Sequence, residues 1–175
     1  VVQAYRDLPK LTSHLHLPVQ SGSDRVLRRM KRFYNRDHYL SLVDQLRDAR
    51  PDMVLSTDFI LGFPGETDED FEQTMTLLDE VAFESSFSFK YSQRPGTSAL
   101  RLLEDEVPAD VAQARLVRLQ QRQREISIAA HERLSGQTMD VLVEGPSRYD
   151  EGVVCGRTST FKMINFPGTL DLVGK

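Results

Sequence analysis

Between residues 13 and 107 this chain alternates three short β-like runs with amphipathic helical stretches, and that order restricts the fold more than any other feature. Residues 14–19 read as the first strand. Ser23 follows, with a hydroxyl placed to cap a short helix. Tyr39, Leu40, Val43 and Leu46 recur at helical spacing across 36–49, and Pro51 stops that helix. Residues 53–61 form the second strand. Thr67 then resembles an N-cap, with Asp68, Glu69 and Asp70 in the first turn, where the helix dipole favours negative charge. Phe71, Met75, Leu78 and Ala82 supply that helix's buried stripe, and residues 86–91 form the third strand. Strand–helix–strand–helix–strand is the pattern of a parallel sheet with right-handed crossovers. Three such units fit part of a β/α barrel or of a doubly wound sheet.

The strands do not read as the continuous apolar runs of a sheet buried on both faces. Leu15, Leu17 and Val19 alternate with His14, His16 and Gln20; Leu55, Thr57, Phe59 and Leu61 alternate with Ser56, Asp58, Ile60 and Gly62. In the third strand Phe87, Phe89 and Tyr91 alternate with Ser86, Ser88 and Lys90. The expectation is that the more apolar set in each strand packs on helices. The other set then lines an interior able to hold a ligand.

After Pro108 the pattern changes to one long charged helix over residues 110–134, ended by Gly136 in the manner of a C′ glycine. Short β-like runs follow at 139–143, 152–155, 161–164 and 170–173, punctuated by Gly145-Pro146 and Pro167-Gly168. The fold class expected is therefore α/β: a partial parallel β/α barrel over residues 1–135, and the start of a small β-barrel over 136–175. The chain opens at Val1 without an initiator Met, and its first eight residues read as a helix entered midway, so a part of a longer protein is expected.

No apolar run approaches the length of a membrane span, which argues against a membrane partner. The one cysteine, Cys155, excludes a disulfide framework and a cysteine-held metal within this chain; a reducing cytoplasm is expected, with Cys155 as a small buried apolar residue. The net charge of −4 does not announce nucleic-acid binding, yet Arg25, Arg28, Arg29, Lys31, Arg32 and Arg36 crowd residues 25–36 with no acid after Asp24.

Three motifs fall where the strands end, the place where α/β proteins build their sites. They are Pro18-Val19-Gln20-Ser21-Gly22-Ser23, then Asp58 through Thr67 with its Gly62-Phe63-Pro64-Gly65 turn, and Tyr91 through Thr97. Gln20, Ser21 and Ser23 suit ribose hydroxyls or a carboxylate, and Gly62 permits a sharp turn or close approach. Together, residues 16–24, 56–67 and 91–97 resemble the radical S-adenosylmethionine methylthiotransferases, above all the branch acting on tRNA adenosine beside the anticodon. Val143 through Ser147 and Asn165 through Gly168 resemble that family's RNA-binding TRAM barrel.

The resemblance implies S-adenosylmethionine and two 4Fe-4S clusters in the parent protein, with every cluster cysteine outside this chain, no metal ligand within it, and no activity for the piece alone. It implies tRNA as partner, a monomeric parent, and a radical that takes hydrogen from C2 of an N6-isopentenyl-adenosine before sulfur and methyl are installed. Carried over by position, Gln20, Ser21 and Ser23 match the group that contacts the cofactor's ribose and methionine part, while Asp58, Ile60 and Gly62 match the strand flanking adenine. Arg32 is a candidate for the methionine carboxylate, since a guanidinium suits bidentate pairing. Arg148, Arg157 and Lys162 are the candidates for tRNA phosphates in the tail. Arg115, Arg118, Arg122 and Arg124 on the long helix either touch phosphates too or lace a solvated helix, and His14 and His16 are expected to line the interior hydrogen-bonded to neighbours. The alternatives are a methylthiotransferase for threonylcarbamoyl-adenosine tRNA, one for a ribosomal-protein aspartate, which the Arg94-Pro95-Gly96-Thr97 loop argues against, or a non-catalytic RNA-binding module.

Overall fold

The computed structural model describes residues 1–96, 102 and 105–175; Thr97 of the third motif lies outside the described residues. Helix α1 (Val2–Asp7) leads to strand β1 (His14–His16), helix α2 (Asp24–Arg29), helix α3 (Arg36–Ala49) and strand β2 (Val54–Leu61). Helix α4 (Asp68–Val81), strand β3 (Ser85–Lys90) and helix α5 (Ala109–Glu132) follow. Strands β4 (Val141–Pro146), β5 (Val153–Thr158) and β6 (Met163–Pro167) end the chain with a 3-10 turn, Leu170–Leu172. The expected strand at 170–173 is that turn.

Local chemistry sets the helix starts. Asn35 Oδ1 accepts from the His38 N–H at 2.8 Å, and Thr67 with Asp70 forms a reciprocal capping box on α4. Strands β1, β2 and β3 form a parallel sheet in sequence order. β1 is shorter than its pattern because the buried hydroxyl of Thr57 replaces the ladder beyond His16. It donates to the Leu17 carbonyl at 2.9 Å and accepts from the Val19 N–H at 3.0 Å. The chain rejoins the sheet at Gln20, paired with Phe59. Helices α3, α4 and α5 cover one face, where Leu55, Phe59, Leu61, Val43, Leu77 and Leu119 make a continuous core.

The third strand reverses the sequence expectation. Register places Phe87 beside Asp58 and Phe89 beside Ile60, on the open face with His16, and Phe87 meets the His16 ring edge-on at 6.0 Å. Phe87 and Phe89 are exposed there. Ser86 and Ser88 take the covered side, sharing a cleft with Gln120 and Gln123 of α5. The reason is steric and polar together: α5 bonds to the backbone entering β3, with Gln123 Nε2 donating to the Phe83 carbonyl at 2.8 Å and Ser127 Oγ to the Glu84 carbonyl at 2.6 Å. Small serines let that polar helix face come close.

The second sheet is an antiparallel meander, β4-β5-β6, with a bulge between Val143 and Gly145. Neither sheet closes into a barrel among the described residues; each is an open three-stranded sheet. The sheets meet at the amino end of the first. Ser13 N–H donates to the Ser159 carbonyl at 2.7 Å, His14 stacks on Phe161 at 5.1 Å, and Lys162 Nζ pairs with Glu84 at 2.7 Å.

Candidate functional site

The carboxyl ends of the three parallel strands converge on one rim. Gln20 N–H donates to the Asp58 carbonyl and the Gln20 carbonyl accepts from the Ile60 N–H, both at 2.9 Å, while Tyr91 N–H donates to the Leu61 carbonyl at 2.8 Å. Gln20 does this in the left-handed region, at φ 71°, which costs a non-glycine residue of order 1 kcal/mol and is typical of functional positions. The residue is mostly buried, and its carboxamide makes no hydrogen bond among the described residues and keeps contact with solvent. Beside it opens a cleft of about 550 Å³, within the range of small-molecule and cofactor pockets, with Met30, Arg32, Ile60, Phe63, Phe89 and Tyr91 in its wall. Phe63 and Tyr91 pack edge-to-face at 5.1 Å, and the buried Tyr91 hydroxyl has no partner among the described residues.

Below the rim, His16 links Ser56 (Nδ1 to Oγ, 3.0 Å) and Asp58 (Nε2 to Oδ1, 3.4 Å). His16 is thus hydrogen-bonded to its neighbours as the alternation suggests, but on the open, solvent-exposed face and not in an interior; His14 instead stacks on Phe161, and burial lowers its pKa. No group of three metal-ligating side chains exists among the described residues.

Several sequence candidates turn out to hold the framework. Ser23 Oγ accepts from the Val26 N–H as the α2 cap and donates to Asp70 of α4. Ser21 Oγ lies 3.4 Å from Thr74 Oγ1 and accepts from the Ser23 N–H. Both serines are buried, so their hydroxyls join α2 to α4 behind Gln20. Asp70 is the hub of that joint. Burial alone raises its pKa, but hydrogen bonds from Arg25, Ser23 and Thr67 outweigh that and hold the carboxyl well below the usual range. Gly62, at φ 68°, serves close approach: a Cβ there would sit 2.6 Å from the Ala112 Cβ of α5.

Arg115 is a correction to the phosphate-facing reading of α5. It is buried, with Nη1 donating to Glu66 Oε2 at 2.8 Å and Nη2 to Asp68 at 2.7 Å. Burial raises the Glu66 pKa, opposed by the Gly62 N–H and by Arg115. Arg118 pairs with Glu72, and Arg122 with Asp79 and Glu125, so the helix is laced mostly across to α4 and not along itself. Nothing in the spacing of Glu66 and Arg115, 49 residues apart, announces their pairing.

In the tail, Lys162 is taken up by Glu84, and Arg157 by Glu144 and the face of Phe161. Arg148 alone of the three is exposed and without an ion pair among the described residues. Cys155 is half-buried in β5, not fully enclosed, and points its thiol at the Pro146 carbonyl.

Among the described residues no helix is long and apolar enough to cross a membrane. Residues 1–78 match the Radical SAM superfamily and residues 132–175 the TRAM domain. The chain is 51% identical over its 175 residues to a tRNA-2-methylthio-N(6)-dimethylallyladenosine synthase of Xanthomonas campestris pv. campestris (strain B100), covering 36% of that protein. It is 49% identical over 175 residues to the protein of that name in Methylococcus capsulatus, covering 38% of it. With the one in Bordetella pertussis it shares 52% over 174 residues, 39% of that protein. The chain thus spans well under half the length of these relatives. With one family's model matching its start, the other's matching its end and about half of all positions shared with these synthases, the chain is similar along its whole length to radical S-adenosylmethionine proteins that carry a TRAM domain.

Proposed function

We propose that this chain is the cofactor-rim and RNA-binding portion of a tRNA methylthiotransferase that places a methylthio group on C2 of N6-isopentenyl-adenosine beside the anticodon. The observation that carries the reading is the rim itself: Gln20, strained and with a carboxamide that has no partner among the described residues, is stitched on both sides into β2 next to a cleft of about 550 Å³. Similarity along the whole chain to synthases of that name supports it.

The residues present fit S-adenosylmethionine. Ile60 and Phe63, in the cleft wall, offer apolar surface to a flat ring; Gln20 and Asp58, on the rim beside it, offer polar groups to ribose or amine; and Arg32, exposed and unpaired among the described residues, suits a carboxylate. Bound there, the cofactor supplies a methyl group and a radical. Ser21, Ser23 and Gly62 contribute by fixing the loops that carry these groups. The described residues do not fit an iron–sulfur cluster, and two 4Fe-4S clusters held elsewhere in the intact protein belong to the proposal. So do tRNA as partner, with Arg148 as the open phosphate contact of the TRAM part, a monomeric state, and work in the cytoplasm.

Nucleoside mass spectrometry of tRNA from a strain lacking the gene tests this. Loss of the methylthio-isopentenyl form, restored by the intact gene, is expected. If that form persists and a methylthio-threonylcarbamoyl nucleoside is lost instead, the substrate is the sibling one.

A further inference from the structure

Six cations occupy residues 25–36, and the fold sorts them into two groups. Arg25 pairs with Asp70, Arg29 with Asp105 and Arg36 with Glu80. Arg28, Lys31 and Arg32 are exposed and make no ion pair among the described residues. In a chain of net charge −4, this leaves an uncompensated positive patch beside the cleft, to which Arg32 contributes a wall.

Two further observations lie on the same loop. Helix α2 ends in a Schellman turn, with Arg32 N–H donating to the Leu27 carbonyl at 2.9 Å and Lys31 N–H to the Arg28 carbonyl at 3.0 Å. The left-handed residue of that turn is Lys31, at φ 57°, where glycine is the low-energy choice. Next in sequence, Phe33 is exposed at 102% of its reference area. It is not on a loose loop. Tyr34 Oη donates to the Val19 carbonyl at 3.0 Å, Asn35 caps α3, and Arg36 N–H donates to Asp24 at 2.7 Å. A rigid mount thus presents a bare aromatic ring flanked by free cations.

We propose that Phe33, with Arg28 and Lys31, is a single-stranded RNA contact at the mouth of the cleft: the ring stacks on one base while the two cations hold the adjoining phosphates. Charge complementarity favours a polyanion over a protein surface. Stacking on an exposed ring with phosphate pairing beside it is how single strands are held without base-edge readout. The inference rests on the tRNA methylthiotransferase reading and assigns the loop that keeps the substrate strand over the site.

The test uses the intact protein and a fluorescent RNA hairpin with an unpaired loop, read by anisotropy across a salt series. Phe33→Ala is expected to weaken binding roughly 5- to 150-fold, and Phe33→Trp to retain it. Arg28→Gln and Lys31→Gly should each flatten the slope of log affinity against log salt by about 0.7. Lys31→Gly should also raise the melting temperature while lowering RNA affinity, a split that a purely structural lysine does not produce. Unchanged affinity and slope in these variants overturn the proposal, as does a change in self-association by light scattering on Phe33→Ala with RNA binding intact. Failure of the unaltered protein to bind the hairpin overturns the tRNA reading itself, and this contact with it.

Discussion

Replacing Arg115 with methionine tests the clamp that holds the turn after β2 against α5. The guanidinium donates to the Glu66 side chain at 2.8 Å, to the Glu66 carbonyl at 3.2 Å and to Asp68 at 2.7 Å. The Glu66 side chain has no exposed area, and its Oε2 also accepts from the Gly62 N–H at 2.8 Å. Methionine replaces the guanidinium, which also lies 5.7 Å over the Phe71 ring, with an uncharged chain, so the main loss is the charge and its hydrogen bonds. A buried pair broken from one side costs about 3–5 kcal/mol, because a carboxylate is left without a counter-charge. For a domain of this size that corresponds to a fall of about 6–20 °C in Tm. Burial already raises the Glu66 pKa, and Arg115 opposes it, so removing Arg115 moves the carboxyl further up. A group raised in the folded state stabilises the fold while protonated, and that contribution is lost as pH rises through the folded value. The variant should therefore melt closest to the unaltered protein near about pH 5 and furthest from it near about pH 8. Glu66→Gln added to Arg115→Met should recover part of the loss. Calorimetric melting of the intact protein at both pH values reads this. Equal Tm at the higher pH, or a deficit that ignores pH, would refute the reasoning.

Gly62→Ala puts a methyl 2.6 Å from Ala112 Cβ at φ 68° and should destabilise by about 2–4 kcal/mol in urea unfolding; Ala112→Gly should relieve the clash but not the backbone strain. Asp70→Asn weakens the α2–α4 joint and should cost about 1.5–3 kcal/mol at neutral pH. Because its folded pKa is held down, that contribution is present above the unfolded carboxyl range and lost as pH falls through the folded value, so variant and parent stability curves should converge in acid. Lys162→Met strands the mostly buried Glu84 and should speed proteolysis between α5 and β4, with the first sheet left protected.

Much of the fold was legible because its signals are local. Thr67, with acidic residues in the turn after it, and Ser23 announce helix starts, and the stripe Phe71–Met75–Leu78 fixes which side of α4 is buried. The three strand ends and their motifs were readable for the same reason, since residue order and spacing put Gln20, Asp58 and Tyr91 at corresponding places on successive strands. What could not be read depends on partners far along the chain. Ser23 reads as a cap and a ligand contact, and its bond to Asp70, 47 residues later, has no signal in the spacing. Arg115 looks like a surface cation until Glu66 buries it.

The amino-acid sequence by itself determined the order of elements, the parallel sheet and the rim where a site is built, because caps and hydrophobic periods act over one or two turns. Which way β3 faces was settled by long-range contacts, since Phe87 and Phe89 owe their open side to register with Asp58 and Ile60 and to the bonds by which α5 holds the backbone entering β3. Only the tertiary structure decided which cations of residues 25–36 are paired. Charge neutralisation depends on which carboxylates the fold brings within reach: Asp70, Asp105 and Glu80 reach Arg25, Arg29 and Arg36, and no carboxylate among the described residues pairs with Arg28, Lys31 or Arg32.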